Sequence, residues 1–333
     1  MIEILQPGLL TTVQDRGRPG FRHIGVAPGG AADADALRIA NSMVDNDQCA
    51  AALEFTLVGA MVRFGREATV AICGAIEVEC DSERLPTWRL LRVRSGAVVK
   101  CGRVTAGARA YLAIGGGIDV PVVLGSRSTD LRGHFGGYLG RALRGGDRVA
   151  LGMPTARADR MLAQRLHASE RNWAAASWWV TPTDDLQGDF AFLHLLDATH
   201  SRGLDRASIR RATHGEWLVS AASDRMGVRF DGVELGFDRP PELVSAGTAP
   251  GTVQLPPDGR PIVLGVDAQT TGGYPRIAHV IAADLPRLMQ LRPGNHVQVV
   301  RVTREAAAVA WLARQRSLAR MSEAIAGRLA SNQ

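Results

Sequence analysis

Hydrogen-bonding side chains crowd the stretch VDAQTTGGYPR, which follows an apolar run, Ile262–Val266, that predicts a buried strand. The stretch offers a carboxylate, an amide and two hydroxyls, from Asp267, Gln269, Thr270 and Thr271. Such groups can orient a polar small molecule, and the two glycines that come next leave the backbone bare for its close approach. The stretch therefore indicates either a loop that lines a pocket or an ordinary turn at the end of a strand.

Two more polar, glycine-rich stretches occur in the first half of the chain. One is TTVQDRGRPG (11–20), followed by Gly29-Gly30 and Asp33, and the other is GSRSTD (125–130), followed by Gly136-Gly137. Each stretch alone is typical of a turn in which Ser, Thr or Asp bonds its own backbone. Three such stretches at predicted strand ends together indicate the lining of a pocket for a polar small molecule. The segment SDRMGVRFDG (223–232) adds Arg225, or is simply a hairpin with an Asp-Gly turn.

The common self-contained catalytic motifs are absent from the sequence. Lys100 is the only lysine, so the chain has neither a Walker P-loop nor a biotin-carrier lysine between methionines. The motifs H-E-x-x-H and G-x-S-x-G do not occur. The four cysteines lack C-x-x-C spacing, and no histidine is paired with Cys, Asp or Glu at metal-ligand spacing. We therefore predict no metal site and identify no catalytic residue from a motif.

The formal net charge of +6 comes mainly from the end of the chain, because residues 301–333 hold six arginines and two acids. Elsewhere no basic stripe alternates with aromatic residues, which argues against a nucleic-acid partner. No apolar run approaches the ~20 residues that span a bilayer. The start of the chain, MIEILQPGLL, has no basic region with a long apolar segment after it. We predict a cytoplasmic protein without a membrane partner.

Short β-branched runs between glycine-containing turns predict a mainly β protein with some α-helix. We predict an N-terminal β-rich subdomain (1–152), a helical connector (153–187), a second β-rich subdomain (188–303) and a C-terminal helix (304–333), with both β-rich parts barrel-like. Residues 11–37 are predicted as a polar loop that leads into an amphipathic helix. The strands predicted in the second subdomain are Phe190–Leu196, Glu216–Ser220, Val228–Phe230, Thr252–Leu255, Pro261–Val266, Ile277–Ile281 and His296–Val302.

The C-terminal helix carries one apolar stripe and one basic face. The stripe consists of Trp311, Leu318, Met321, Ile325 and Leu329. Its helical spacing predicts a helix that docks on its own domain. The alternative is a helix that binds a partner, because the opposite face holds most of the basic excess.

The motifs resemble the allophanate hydrolase subunit 2 family, also called the biotin-dependent carboxyltransferase-like family. The resemblance runs in order from about residue 2 to residue 302. It rests on TTVQDRGRPGFRHIGV, GGIDVPVVLGSRSTDL, GGYLGRALRGGD, SDRMGVRF and VQLPPDGRPIVLGVDAQTTGGYPRIAHVI. The segments RIANSMVDNDQCAAALEFTL and AYLAIGGGIDVP are similar to one branch of that family, the C subunits of bacterial ATP-dependent 5-oxoprolinases.

The resemblance implies a cyclophilin-like β-barrel in the second half and a related β-rich first half. It also implies an ATP-dependent amide (lactam) hydrolase in which this chain acts on 5-oxo-L-proline together with two partners, which resemble the 5-oxoprolinase A and B subunits. The partner of the B type would be obligate. ATP would bind within that complex, and the chain alone would be inactive. Two alternatives remain open: a carboxyltransferase component that uses a partner's carboxybiotin, and a non-catalytic regulator that binds a kinase inhibitor of the B type.

The family's motif positions fall here on residues that the resemblance implies bind a small amide or lactam. They are Gln14, Asp15, Arg18, Asp33, Ser126, Thr129, Asp130, Arg225, Gln254, Gln269, Thr270, Thr271, Gly272, Gly273 and Tyr274, with Met226 as a further motif position. We expect Gln269, Thr270 and Thr271 to face the ligand. The chain departs from the family pattern at Gly29, where a serine is usual, and at Ala198-Thr199, where Gly-Pro is usual.

Overall fold

The computed structural model describes residues 1–182, 188–239 and 241–331 and shows a mainly β protein with a few helices, as predicted. The strands are β1 Ile2–Gln6, β2 Leu10–Gln14, β3 Ala52–Thr56, β4 Met61–Phe64, β5 Ala68–Cys80, β6 Glu83–Arg84, β7 Leu90–Val93, β8 Val98–Ile114, β9 Arg148–Val149, β10 Trp173–Ala175, β11 Phe190–Asp197, β12 Trp217–Val219, β13 Gly227–Asp231, β14 Ala246–Gly247, β15 Thr252–Gln254, β16 Ile262–Leu264, β17 Thr271–Gly272, β18 Arg276–Val280 and β19 His296–Arg301. The α-helices are α1 Ala34–Met43, α2 Ala156–Arg160, α3 Ala163–His167, α4 Arg206–His214, α5 Leu285–Gln290 and α6 Arg304–Ala330.

The chain divides into two compact units. The first takes its described residues from 1–18, 29–182 and 317–331, and the second from 19–28, 188–239 and 241–316. The predicted helical connector contains α2 and α3 and also β10, which adds a strand to the sheet of the first unit. Residues 183–187 of that connector lie outside the described residues.

The first unit is built on a ten-stranded sheet in which β5 and β8 form the long central pair. β8 has 17 residues and β5 has 13, and they are antiparallel along most of their length. The sequence pattern predicts two short strands for each of them, Thr69–Cys73 and Ile76–Cys80 for β5 and Ala97–Cys101 and Ala110–Ile114 for β8, with interruptions near Gly74 and Gly107. Both glycines have positive φ, and the pairing register shifts beside Gly74, so the interruption is a bulge within one continuous strand and not a turn.

The prediction of a polar loop for residues 11–37 is wrong at its start, because Leu10–Gln14 forms β2. This strand pairs with β3 along its whole length, from Leu10 opposite Thr56 to Gln14 opposite Ala52. Thr11, Thr12 and Gln14 are buried, and Thr11 Oγ1 donates a hydrogen bond to the Pro7 carbonyl at 2.5 Å. The β-branched run Thr11–Val13 was the available signal, since such residues favour strands.

A buried polar network fixes the start of α1 to the sheet. The Tyr111 hydroxyl of β8 donates to Glu54 Oε2 and accepts from the Asp33 backbone N–H, both at 2.7 Å. Glu54 Oε2 also accepts from the Ala32 N–H at 2.8 Å. Burial, and then the nearby Glu54 carboxylate, raise the pKa of Tyr111 well above its ordinary value, so this hydroxyl keeps its proton. Because Asp33 Oδ1 in turn caps α1 at the Ala36 N–H, the network sets where the helix begins.

The second unit contains a closed barrel of seven strands, in the order β11-β18-β15-β16-β13-β12-β19. Each strand corresponds to one of the seven predicted for residues 188–303, which confirms the barrel. All neighbours are antiparallel except β11 and β19, which close the barrel as a parallel pair. Trp217 and Phe230 meet edge to face in its core, with ring centroids 5.2 Å apart.

The predicted C-terminal helix is confirmed as α6, and its apolar stripe is buried only in its second half. Leu318, Ile325 and Leu329 are buried in an apolar cluster of the first unit that also contains Leu37 and Ile39 of α1. Trp311, which we placed in the same stripe, is 41% exposed. No helix among the described residues has the length and apolar character that crossing a bilayer requires.

Replacing Tyr111 by phenylalanine should lower the free energy of unfolding of the first unit by about 1–3 kcal/mol, because the Asp33 N–H and the Glu54 carboxylate each lose a buried partner. Urea denaturation followed by circular dichroism measures this change. Tyr274→Phe is the matched control, since Tyr274 is exposed, and should stay within about 0.5 kcal/mol of the parent. Equal unfolding free energies for the Tyr111→Phe variant and the parent would contradict the role of the network.

Candidate functional site

The Asp15 carboxylate holds together the first two predicted polar stretches. Asp15 Oδ1 accepts hydrogen bonds from the Gly17 N–H at 2.7 Å and from the Ser126 and Ser128 hydroxyls at 2.6 Å each. Asp15 Oδ2 accepts from the Arg127 N–H at 2.6 Å. The Asp15 carboxylate is nearly buried, and these donors offset the free energy that burying it without partners would cost. The carboxylate therefore joins the two loops and is already occupied by protein donors.

Gln14 lies next to this carboxylate and is fully buried. Its Nε2 donates to Thr12 Oγ1 at 3.0 Å and to the Thr129 carbonyl at 3.3 Å. Its Oε1 has no hydrogen-bond partner in the part of the chain that the structure describes. Thr129 holds the arrangement in place from the other loop, since its hydroxyl and its N–H both donate to the Val13 carbonyl. The Gln14 side chain thus presents an unused acceptor.

Arg18 follows the same loop and is buried as well. Its Nη2 donates to the Ser128 carbonyl, and its guanidinium lies 4.8 Å from the centroid of the Phe135 ring. The Gly29-Gly30 segment passes close by, because the Ala31 N–H donates to the Asp15 carbonyl at 2.8 Å. A Cβ at Gly30 would lie 2.7 Å from the Gly17 nitrogen, and φ there is +89°, so only glycine fits. The loss of a serine at Gly29 falls in this tightly packed segment.

Asp33 and Asp130 have local roles in the first unit. Asp33 caps α1, as described above. Asp130 Oδ1 accepts from the Arg132 and Gly133 N–H groups at 3.1 and 2.8 Å, which closes a turn. The structure therefore gathers Gln14, Asp15, Arg18, Ser126 and Thr129 of the prediction into one cluster, which we call the amino-terminal cluster.

In the second unit, Arg225 and Asp267 form a buried ion pair that holds the start of the DAQTTGGY loop. Arg225 Nε and Nη2 donate to Asp267 Oδ2 and Oδ1 at 2.7 and 2.9 Å. The backbone supports the pair, because the Asp267 N–H donates to the Arg225 carbonyl and the Gly265 N–H to the Met226 carbonyl. This two-pronged geometry fixes orientation as well as distance. Arg225 therefore anchors the loop.

The rest of that loop is held through its backbone, which leaves its side chains available. Thr248 Oγ1 donates to the Gln269 carbonyl at 2.7 Å, and the Thr248 N–H donates to the Thr270 carbonyl at 3.0 Å. Thr271 and Gly272 then form β17, which pairs with β14. Thr271, Gly273 and Tyr274 are exposed, whereas Gln269 and Thr270 are half-buried. The backbone of Gly272 and Gly273, which carries no side chain, lies directly after these hydrogen-bonding residues.

Gln254 lies beneath the glycines of this loop. It is 1% exposed, and its Nε2 has no hydrogen-bond partner among the described residues. A Cβ at Gly272 would lie 2.5 Å from that nitrogen, whereas a Cβ at Gly273 would meet only Ser245 Oγ at 3.5 Å. Glycine at 272 is thus what allows the amide to approach the loop. We call Arg225, Gln254, Gln269, Thr270, Thr271, Gly272, Gly273 and Tyr274 the barrel cluster.

Sequence reasoning missed several residues that support these two clusters. Ser128 bonds the Asp15 carboxylate and also accepts from the Asp15 N–H at 2.9 Å. The S-x-S spacing with Ser126 was the available signal, because alternate residues of an extended segment face the same side. Thr248 lies in the segment SAGTAPG, which carries no chemical signal. The buried Glu54–Tyr111 pair was missed because each residue stands in an otherwise apolar run.

The Ala198-Thr199 departure lies at the end of β11. The Ser201 hydroxyl and N–H both donate to the Ala198 carbonyl, at 3.0 and 3.2 Å, which turns the chain into a short 3-10 helix. The His200 Nδ1 accepts from the Arg276 N–H at 3.0 Å and ties this turn to β18. The segment therefore forms an ordered turn without the usual Gly-Pro.

Three of the four cysteines, Cys73, Cys80 and Cys101, are buried, whereas Cys49 is exposed. Burial raises the pKa of the Cys101 thiol to about 12, and burial together with Asp81 does the same for Cys80. Lys100 lies on β8, half-exposed, with Nζ 3.2 Å from Glu79 Oε2. Within residues 1–182, 188–239 and 241–331, no three His, Cys, Asp or Glu side chains converge on a point where a metal ion could bind.

Replacing Asp15 by asparagine should destabilise the first unit by about 1–3 kcal/mol, because one oxygen becomes an NH₂ group that faces N–H and O–H donors. Asp119→Asn, an exposed carboxylate next to the same loop, is the matched control and should have little effect. Thermal unfolding of both variants measures the difference. A parent-like melting temperature for Asp15→Asn would show that the carboxylate does not hold the loops together.

The comparisons with known proteins agree with the fold and the motifs. Residues 24–301 match the family model described as carboxyltransferase domain, subdomain A and B. The chain is 40% identical to the 5-oxoprolinase C subunit of Escherichia coli, over 95% of this chain and 96% of that protein. It is 32% identical to the urea amidolyase of Saccharomyces cerevisiae, over 91% of this chain but only 17% of that protein.

The solved structure of the Kluyveromyces lactis urea carboxylase superposes on 96% of this chain with a TM-score of 0.85 and 29% sequence identity. This chain corresponds to 29% of that much longer chain. The chain therefore belongs to the family that its motifs indicated, whose members carry the carboxyltransferase domain of subdomains A and B.

Proposed function

We propose that this chain is the C subunit of a cytoplasmic, ATP-dependent 5-oxoprolinase, which acts with proteins resembling the A and B subunits to hydrolyse 5-oxo-L-proline to L-glutamate. The observation that carries the proposal is the 40% identity to the E. coli C subunit over nearly the full length of both chains. A second protein of the same name, from Haemophilus influenzae, is 35% identical over 93% of its length. The urea amidolyases are similar over a much smaller part of their own length.

Each of the two clusters, taken by itself, offers a buried polar atom with which an amide group can pair. Among the described residues, Gln14 Oε1 in the first unit is an acceptor without a partner, and Gln254 Nε2 in the second unit is a donor without a partner. An unpaired buried polar atom costs about 1–3 kcal/mol, so a substrate group that pairs with it gains that energy. An amide N–H complements Gln14 Oε1, and an amide carbonyl complements Gln254 Nε2. In the first unit Asp15 positions Gln14, and in the second unit Arg225 positions the loop above Gln254.

The reaction requires activation of a stable lactam. A chemically reasonable route is phosphorylation of the lactam oxygen by ATP with loss of the ring N–H proton, followed by attack of water on the activated carbon. The tetrahedral adduct breaks its ring C–N bond as the nitrogen is protonated, which gives γ-glutamyl phosphate, and a second water hydrolyses this acyl phosphate to glutamate and phosphate. In this route the residues of the chain orient the ring and donate hydrogen bonds to the oxygen where negative charge develops. Gln254 Nε2 and the loop around Thr271 and Gly272 are the donors that we assign to this task.

Carboxyl transfer from a partner's carboxybiotin to urea or a similar amide is the second candidate. It is favoured by the match of residues 24–301 to the carboxyltransferase domain and by the similarity to the K. lactis urea carboxylase. Biotin would have to come from another protein, because Lys100 lies on a strand beside Glu79 and is not flanked by methionines. The two candidates share an amide-like substrate and differ in the activating group.

The complex of this chain with the products of neighbouring reading frames that resemble the A and B subunits should release glutamate from 5-oxoproline only when ATP is present. The chain alone should release none, because the resemblance implies partner proteins that complete the site. Coupled glutamate detection measures the rate, and urea-dependent use of carboxybiotin by the same complex tests the second candidate. Robust hydrolysis of 5-oxoproline by the isolated chain would overturn the proposal.

Replacing Gln254 by methionine, which has a similar volume, should lower kcat/KM of the complex at least tenfold. The loss of one hydrogen bond of about 1.4 kcal/mol or more gives that factor. The unfolding free energy should change by no more than about 1 kcal/mol, because the amide nitrogen has no partner to lose among the described residues.

Gln298→Met, on the exposed face of β19 in the same barrel, is the matched control and should keep parental kinetics. A parental kcat/KM for Gln254→Met in a well-folded complex would remove Gln254 from the site and leave the assignment of the overall reaction standing.

A further inference from the structure

A groove along the second half of α6 is separate from the two clusters described above. It consists of two adjoining cavities of about 420 and 460 Å³, which share Trp178 and Arg328 as lining residues. One wall is α6, and the other is formed by residues 160–165 and 178–181. All these residues belong to the first unit. We call it the tail groove.

The floor of the tail groove is apolar, and a large aromatic side chain stands at its edge. Ile325 and Leu329 are buried there, and Met321 is half-buried. Trp179 is 64% exposed, with the Arg89 guanidinium 5.5 Å from its ring centroid. An exposed tryptophan beside an apolar floor is typical of an interface anchor, since tryptophan and arginine dominate the binding energy of protein interfaces.

The described residues that line the tail groove carry charge of a single sign. They include Arg160, Arg165, Arg320 and Arg328, and no aspartate or glutamate. None of these four arginines forms an ion pair with a carboxylate among the described residues. The unpaired positive charge favours an anionic occupant through electrostatic complementarity. It also accounts for part of the arginine excess at the end of the sequence.

We propose that the tail groove binds an acidic segment of a partner polypeptide, one whose aliphatic or aromatic side chains rest on the floor beside Trp179 while its carboxylates meet the arginines. A polypeptide fits better than a nucleotide, because the groove has an extended aliphatic floor and no glycine-rich loop to cradle phosphates. This surface is independent of the substrate site. The sequence left open whether the C-terminal helix docks on its own domain or binds a partner. In this proposal α6 does both, because one face packs on the first unit and another is available to a partner.

Photo-crosslinking tests the proposal. The photoreactive residue p-benzoylphenylalanine replaces Trp179 in the full chain, which is co-produced with the products of its neighbouring reading frames and irradiated. Mass spectrometry of the digest should place the crosslink on another polypeptide, within a segment that carries several acidic residues and at least one large apolar side chain.

Charge reversal at two lining arginines, Arg320→Glu with Arg328→Glu, should lower the crosslink yield about tenfold or more, because two favourable charge contacts become repulsive. Arg304→Glu is the matched control on the same helix, about 36 Å from Arg328 at 1.5 Å per residue, and should change the yield less than twofold. The milder pair Arg320→Gln with Arg328→Gln should give an intermediate yield. Parent-like thermal unfolding of each variant confirms that the fold is kept.

Three outcomes would overturn the proposal. They are crosslinks found only within this chain or to a second copy of it, a crosslinked segment without acidic residues, and a yield unaffected by the charge reversal. If ATP binds in the groove when no partner protein is present, the groove is a nucleotide site and the proposal is wrong. None of these outcomes bears on glutamate release, which reports on the substrate site.

Discussion

Burial of the Asp15 carboxylate constrains the first unit, because a buried carboxylate without hydrogen-bond donors costs free energy. Asp15 can lie in the interior only because Ser126, Arg127 and Ser128, more than 110 residues away in the sequence, turn their donors toward it. The same bonds place Gln14 and Arg18, which flank Asp15 on either side. A change in either loop that removed a donor would leave a buried charge without a partner, so the two loops constrain each other.

Sequence patterns predicted the barrel well and the first sheet less well, for a physical reason. The barrel strands are short, and several of them, such as β12, β13 and β19, alternate between buried and more exposed positions, which leaves a recognisable pattern in the sequence. In β5 and β8, by contrast, a glycine bulge lies within a continuous strand, and a glycine in a sequence marks a turn and a bulge alike. The strand β2 was missed because its buried side chains are polar.

The same limit applies to the site. Residue types identified side chains that can donate or accept hydrogen bonds, but not whether the protein uses that capacity itself. Asp15 and Arg225 are engaged by protein partners, whereas Gln14 and Gln254 each keep one atom unpaired. The number of partners of a side chain is set by tertiary contacts between distant segments, such as Gln254 with Gly272. A family resemblance indicates the positions and leaves this distinction to the structure.

The pairing of distant segments has a consequence for synthesis on the ribosome. The barrel closes only when β19 pairs with β11, and the apolar cluster beneath α1 is complete only when Leu318, Ile325 and Leu329 have been added. The barrel strands run from residue 190 to residue 301, and at 5–20 residues per second their synthesis takes about 5–20 s. During that time β11 lacks its parallel neighbour β19, and contacts between segments so far apart in sequence form slowly. A nascent chain in this state exposes an unpaired strand edge, which favours aggregation.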